Sequence, residues 1–279
     1  MKIRATLLAT VAAAATVVGG LAVAAPAAAG VGYDYDTIGY WNPSDGGWHL
    51  RNSNSSGSSN YTFVYGPSSS AVVPVTGDWD GDGDDTPGYW DSATGTWYLR
   101  NSNSAGAPSL SFVFGPGSAT VTPVTGDWNG DGIDTIGYWN SVNGDWHLRN
   151  SNTPGSSNFS FNYGEFGAGI QPLTGDWDGD GDDTPGYWKV ADSSWHLRDS
   201  NSSGSSNLLF TYGLFGQPAV VALTGDWDSD GDDTPGFWKP ADAGWHLKNS
   251  NSTGSSDITF TYGPASASVR PLTGNWDGV

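Results

Sequence analysis

The chain has 279 residues, with ten Lys and Arg against 29 Asp and Glu, a formal net charge of -19 at pH 7, no cysteine, 41 glycines and 15 tryptophans. Such acidity repels phosphate backbones and anionic lipid, so nucleic-acid binding and attachment to acidic membranes are excluded as leading functions. The missing cysteines remove disulfides, thiolate metal sites and thiol nucleophiles, while aromatic residues at 13% are too many for a disordered acidic chain and predict a packed fold.

Residues 1–29 stand apart. Lys2 and Arg4 make a basic start, an apolar run follows from Ala5 to Ala25, and Ala27, Ala28 and Ala29 give a small-residue cleavage signal before Gly30. The segment reads as a secretory signal peptide rather than a membrane anchor, because the run is rich in Ala and Gly and ends at that small-residue site. Cleavage removes two positive charges and no acid, leaving residues 30–279 with a formal charge of -21. The expectation is a secreted, extracellular protein without membrane insertion, stabilised by something other than disulfides.

The rest of the chain is one repeat. Trp48, Trp97, Trp146, Trp195 and Trp245 recur at intervals of 49, 49, 49 and 50 residues, each opening a segment of the type WHLRNSNSSGSS. Between them lie TGDWDGDGDDTPGYW at Thr76, TGDWNGDGIDTIGYW at Thr125, TGDWDGDGDDTPGYW at Thr174, TGDWDSDGDDTPGFW at Thr224 and a shortened TGNWDGV at Thr273. In the second unit, turn residues separate four predicted strands, Val72 to Gly77, Thr86 to Trp90, Thr96 to Asn101 and Leu110 to Gly115. No window has a helical period. Four-stranded units at this spacing predict an all-β propeller, since one small sheet cannot bury its own faces.

The ends of the chain set the blade number. TIGYW at Thr37 matches the second strand of a unit, whereas VRPLTG at Val269 matches the first. Pairing the two termini completes a five-bladed ring with no open sheet edge. The same closure brings Asn275 and Asp277 toward Asp34 and Asp36, making a fifth, degenerate acidic loop.

The acidic loop carries the most specific chemistry. With Asp78 as position 1, carboxylates fall at positions 1, 3 and 5 (Asp78, Asp80, Asp82), Gly83 stands at 6 and Asp85 at 8. Alternate oxygen ligands on a tight turn suit a hard cation of calcium size. The later copies supply Asp127, Asn129, Asp131 and Asp134; Asp176, Asp178, Asp180 and Asp183; and Asp226, Asp228, Asp230 and Asp233. Position 7 varies among Asp84, Ile133, Asp182 and Asp232, and because Ile cannot coordinate through its side chain, this position is expected to offer its backbone carbonyl.

These loops resemble the calcium loops of FG-GAP and VCBS repeats, which form the blades of integrin α-subunit propellers and of many secreted bacterial proteins. The resemblance spans residues 33–279 and implies structural Ca2+ at the four complete loops, about four ions, with the composite loop as a fifth site. The family closes its loop with an acid at position 9, where this chain has Thr86, Thr135, Thr184 and Thr234, and the integrin propeller has seven blades rather than five.

Other candidates follow the repeat. His49, His147, His196 and His246 occupy one position in different blades and are expected on exposed strand faces rather than around one metal. The serines lie in turn-like text, without a nucleophile elbow or phosphate loop. Most tryptophans are expected in the core and between blades, the remainder as sugar-stacking platforms. Arg51, Asn52 and Asn54, with Arg100, Asn101, Arg149, Asn150, Arg198, Lys248 and Asn249, form the candidate ligand-binding set. Near-identical loops offer no differentiated acid and base, so a non-enzymatic, lectin-like adhesion module with an extracellular glycan or protein partner is expected. A surface scaffold is the alternative, and a propeller glycosidase or lyase ranks third.

Overall fold

A computed structural model describes residues 35–217 and 219–278, and the signal-peptide segment and Asp34 lie outside the described residues. The described chain is a five-bladed β-propeller of four-stranded antiparallel sheets, without a helix. The first blade contributes β1 (Thr37–Asn42), β2 (Gly47–Leu50) and β3 (Tyr61–Val64), and the second β4 (Val72–Gly77), β5 (Thr86–Asp91), β6 (Thr96–Leu99) and β7 (Leu110–Val113). The third holds β8 (Val121–Gly126), β9 (Thr135–Asn140), β10 (Asp145–Leu148) and β11 (Phe159–Asn162). The fourth holds β12 (Ile170–Gly175), β13 (Thr184–Lys189), β14 (Ser194–Leu197) and β15 (Leu208–Thr211). The fifth holds β16 (Val221–Gly225), β17 (Thr234–Lys239), β18 (Gly244–Leu247) and β19 (Ile258–Thr261), and β20 (Arg270–Gly274) ends the chain.

β20 pairs with β1, from Thr37 opposite Gly274 to Trp41 opposite Arg270, so the last strand supplies the first blade's missing edge. The inner strands β20, β4, β8, β12 and β16 contact one another in a closed ring. Strand ends differ from the sequence reading by a residue or two, since Arg100 and Asn101 leave β6 to enter the following loop.

All fifteen tryptophans are buried, none more than 4% exposed. Trp48, Trp97, Trp146, Trp195 and Trp245 each donate the indole N–H to a backbone carbonyl seventeen residues on, at 2.8–3.1 Å. Each therefore satisfies its one polar atom while burying a large ring, a contribution of roughly 1.5–3 kcal/mol for a large apolar side chain. Adjacent blades meet through aromatic edges, with ring centroids 5.4–5.7 Å apart in Tyr65–Tyr89, Phe114–Tyr138, Tyr163–Tyr187, Tyr212–Phe237 and Tyr262–Tyr40. The hairpin between the second and third strands of each blade needs a left-handed residue. Gly46, Gly95 and Gly144 provide it at φ 70–72°, whereas Ser193 and Ala243 hold it at 56° and 55°.

Candidate functional site

Each acidic loop is organised first by its own backbone. Asp78 Oδ1 accepts from the N–H groups of Asp80, Gly81 and Asp82 at 3.3, 2.7 and 3.2 Å, and Oδ2 accepts from Gly83 N–H at 2.9 Å. Gly81 and Gly83 sit at φ 75° and 99°, which turns successive amides inward. The same wrapping surrounds Asp176 and Asp226. Positions 3 and 5 are left outward, and the carboxylates of Asp78, Asp80 and Asp82 come within 4.8 Å of one another, as do those of Asp176, Asp178 and Asp180 and of Asp226, Asp228 and Asp230. In the third blade's loop, Asn129 donates to Asp131 at 2.9 Å.

The remaining loop positions do other work. Burial, then a hydrogen bond to the position-5 acid, pushes Asp84, Asp182 and Asp232 up to about 6, so at position 7 the side chain itself crowds Asp82, Asp180 or Asp230; Ile133 has no such group. Position 8 does not join positions 1, 3 and 5. Its carboxylate crosses the blade boundary and accepts the position-1 N–H of the preceding loop: Asp134 from Asp78 at 2.9 Å, Asp183 from Asp127 at 2.7 Å, Asp233 from Asp176 at 3.0 Å, Asp36 from Asp226 at 3.1 Å and Asp85 from Asn275 at 2.7 Å. The backbone N–H of each returns a bond of 2.6–2.7 Å to the carbonyl of the same partner. Position 9 closes the loop from below, because buried Thr86, Thr135, Thr184 and Thr234 donate to the carbonyls of Gly77, Gly126, Gly175 and Gly225 at 3.3–3.4 Å.

The five position-8 aspartates line an axial cavity of about 170 Å³ with Thr76, Thr125, Thr174, Thr224 and Thr273. Thr125, Thr174 and Thr224 each donate to the threonine carbonyl of the preceding blade at 2.8–2.9 Å, and Thr76 donates to the Thr273 carbonyl at 3.0 Å. Removal from bulk solvent is the largest cause raising all five carboxyls, to about 7 at Asp36 and Asp134 and well above the ordinary range at Asp85, Asp183 and Asp233. Burial first, and then the charge of the neighbouring aspartates, pushes these groups toward the protonated form. Gly175 allows this close approach, for a Cβ there would lie 2.6 Å from Asp233 Oδ2.

Most of the candidate ligand-binding set makes hydrogen bonds within the fold. Arg51 donates from Nε to the Ser55 carbonyl at 2.7 Å, and from its terminal nitrogens to the Ser58 and Ser56 carbonyls and Ser55 Oγ at 2.5, 3.0 and 2.9 Å. Arg100, Arg149 and Arg198 repeat this brace, and Lys248 is buried at the equivalent place. Asn54 and its counterparts Asn103, Asn152, Asn201 and Asn251 donate to the carbonyl of the position-8 aspartate at 2.8–2.9 Å. Asn52 donates to Asp277, and Asn101 donates to Asp80 at 2.6 Å. The sequence presents these residues as a polar surface; the arginines brace the hairpin loop on itself, and Asn52, Asn54 and Asn101 tie it to the acidic loop. In the composite loop, Gly278 N–H donates to Asn275 Oδ1 at 3.2 Å.

The donor set suits a hard divalent cation. In the second, fourth and fifth blades the side chains at positions 3 and 5 are all carboxylates, and buried oxygens without hydrogen-bond partners lie next to these loops at Asn101, Asn103 and Asn249.

Two aromatic expectations change. With every tryptophan buried, none is available as a sugar platform. The histidines are half-buried and stacked, since His49, His147, His196 and His246 lie 4.4–4.6 Å from the rings of Tyr40, Tyr138, Tyr187 and Phe237. Burial lowers the pKa of all four.

The repeat breaks around His196. Here Glu165, Lys189, Asp192, Ser194, Leu209 and Thr253 line a groove of about 390 Å³ between the fourth and fifth blades. Lys189 pairs with Glu165 at 2.8 Å, and Ser194 Oγ donates to Asp192 at 2.6 Å while lying 3.0 Å from His196 Nε2. With the serine proton committed to Asp192, Nε2 is the protonated nitrogen and Nδ1 the acceptor. In the third blade His147 Nδ1 meets Ser160 Oγ at 3.1 Å. Opposite His196 stands Leu209, 67% exposed, where the other blades place Thr62, Ser111, Ser160 and Thr259. His196 Nδ1 has no hydrogen-bond partner among the described residues, and the apolar Leu209 side chain offers none, where His147 meets Ser160. The sequence signal for this groove was the one hydrophobic residue in a column of Ser and Thr.

No protein family and no curated protein matches the chain. Among solved structures, one titled "Structural basis of specific recognition of non-reducing terminal N-acetylglucosamine by an Agrocybe aegerita lection" is similar at a TM-score of 0.44 and 14% identity, over 72% of this chain and 56% of that one. The chain thus spans little more than half that protein's length.

Proposed function

We propose that the protein is an extracellular, calcium-stabilised propeller that recognises carbohydrate by binding alone. The observation that carries this reading is the groove at His196 and Leu209. Elsewhere the repeated arginines and asparagines are tied to the fold, so the groups left to meet a ligand are those where the repeat is broken. A sugar presents an apolar C–H face beside hydroxyl donors and acceptors. The groove offers Leu209 for the first, the His196 Nδ1 acceptor for a hydroxyl, and a rim of Lys189, Glu165 and Asp192 for the others.

The same geometry favours binding over catalysis. Ser194 donates its hydrogen bond to Asp192, whose carboxyl that bond holds below the ordinary value, so the partner is too weak a base to activate the serine oxygen as a nucleophile. Calcium bound at the acidic loops supplies positive charge that offsets carboxylate repulsion. Asp80 and Asp82 and their counterparts would hold it, while the position-1 aspartates keep the loop amides aligned.

The test is a glycan-array screen of the protein in calcium, repeated in chelator with folding followed by circular dichroism. Saturable binding competed by free sugar, and reduced at least tenfold by His196→Ala in a folded variant, supports the reading. Silence across the array from folded protein overturns carbohydrate recognition and leaves a protein ligand or a scaffold role. An unchanged melting temperature in chelator overturns calcium stabilisation.

A further inference from the structure

The connection from each blade to the next opens with an aromatic residue and a glycine. Its fourth residue is small in three blades, Ser68, Gly117 and Ala265, but is Phe166 in the third and Phe215 in the fourth. Among the described residues these are the two aromatic side chains that stand mostly in solvent, 55% and 73% exposed, and every other described ring is buried or half-buried. Single exposed apolar residues are common on protein surfaces. These two replace small residues at one position of the repeat, in the two connections that adjoin the fourth blade.

Both connections border the groove at His196. Glu165, the residue before Phe166, lines the groove and pairs with Lys189 at 2.8 Å. The Phe166 ring lies against the third blade's hairpin, where a Cβ on Gly144 would come within 3.2 Å of it. Beside Phe215, the Gly216 N–H donates to the Val190 carbonyl at 3.1 Å, in the hairpin whose Asp192 and Ser194 line the same groove. The fourth blade's hairpin thus joins the groove to both phenylalanine-bearing connections.

The face of an aromatic ring carries negative potential, and the C–H bonds of a sugar, polarised by neighbouring oxygens, sit on it. A chain of β-linked pyranoses with equatorial hydroxyls offers such C–H faces at intervals along its length. One blade stands between the two phenylalanines, so they form separate platforms rather than the contiguous apolar core of a protein interface. Lys189, the cation at the groove, is neutralised by Glu165, which leaves no positive charge to select an acidic polymer. Resting on the reading that the groove binds carbohydrate, we infer that Phe166 and Phe215 are further subsites of it, and that the ligand is an extended, uncharged β-linked polysaccharide rather than a single terminal sugar.

The experiment is calorimetric titration of the purified protein, in calcium, with the disaccharide and the hexasaccharide of two neutral series, cello-oligosaccharides and N-acetylated chito-oligosaccharides. The expected result is a hexasaccharide of one series bound at least tenfold more tightly than its disaccharide. Phe166→Ala and Phe215→Ala should each weaken the hexasaccharide at least threefold and leave the disaccharide unchanged. The double variant should remove the length dependence, with circular dichroism reporting the fold of each. Equal affinity for both lengths, or a length dependence that survives in the folded double variant, overturns the inference while the groove reading stands. Binding of neither series, beside array hits for other glycans, also overturns the inference alone. Silence in both titration and array from folded protein overturns the two together.

Discussion

Asp183 and Asp127 form a two-point clamp across a blade boundary: Asp183 Oδ2 accepts the Asp127 N–H at 2.7 Å, and Asp183 N–H donates to the Asp127 carbonyl at 2.6 Å. The relationship recurs at every boundary of the ring, with Asp85 and Asn275 making the closing one. A propeller without cysteine needs its blades held edge to edge, and this ring of clamps lies where the five inner strands converge.

The clamp makes stability pH-dependent. The five carboxyls are raised in the folded protein, to about 7 at Asp36 and Asp134, above the ordinary 3.8 of the unfolded chain. A raised folded pKa contributes stability that is fully present below the unfolded pKa and lost as pH rises through the folded one. In chelator, the melting temperature should therefore fall from pH 5 to pH 8. The stacked histidines, lowered by burial, act in the opposite direction near pH 6. A melting temperature that rises steadily to pH 8 in chelator contradicts the assignment.

Charge and hydrogen bonding at Asp183 can be separated. Asp183→Asn keeps an oxygen for the Asp127 N–H and removes one axial charge, so it should raise the melting temperature at pH 8 in chelator. Asp183→Ala leaves that N–H without its acceptor and should cost about 1–3 kcal/mol. Urea unfolding of the two variants checks the sign of each.

Tyr212 and Tyr65 occupy the same position with opposite satisfaction. Tyr212 Oη lies 2.9 Å from Ser256 Oγ in the next blade, whereas Tyr65 Oη is buried without a partner, Pro108 standing where the other blades have serine. Tyr212→Phe should destabilise by about 1 kcal/mol and Tyr65→Phe should be neutral or stabilising. Equal losses in chemical denaturation would show that the hydroxyl contact is immaterial.

Ala243 holds a left-handed turn at φ 55° that glycine fills at Gly46, Gly95 and Gly144. Ala243→Gly should stabilise by about 0.5–1 kcal/mol, relief of a 1–2 kcal/mol strain less the added entropy of the unfolded glycine. Thermal unfolding of the single variant decides this.

At the groove, Leu209→Ser restores the residue type of the other blades and returns a hydroxyl partner to His196 Nδ1. A carbohydrate ligand found by array should lose at least tenfold in affinity, about 1.4 kcal/mol, while the melting temperature stays within a degree or two. Unchanged affinity places the ligand elsewhere on the ring.

Repetition explains how much was legible in the sequence. The Trp48 to Trp245 spacing gave the blades, and the mismatch between TIGYW at Thr37 and VRPLTG at Val269 gave the closure seen between β1 and β20. Asp78, Asp80 and Asp82 were recognisable as one group, because neighbours in a tight loop stay neighbours after folding. Asp85 was not separable from them, since its partner Asn275 lies 190 residues away.

The sequence by itself determined the period, the strand content and the clustered acids, all consequences of contacts within one repeat or of alternation along one strand. Only the tertiary structure decided that Arg51 and its counterparts brace loops, that the position-8 aspartates clamp neighbouring blades around an axis, and that every tryptophan is inside. The physical reason is that a polar side chain's role depends on which donor or acceptor packing brings to it. Across blade boundaries, that pairing is set by ring closure and inter-blade contact rather than by the residues alongside it in the chain.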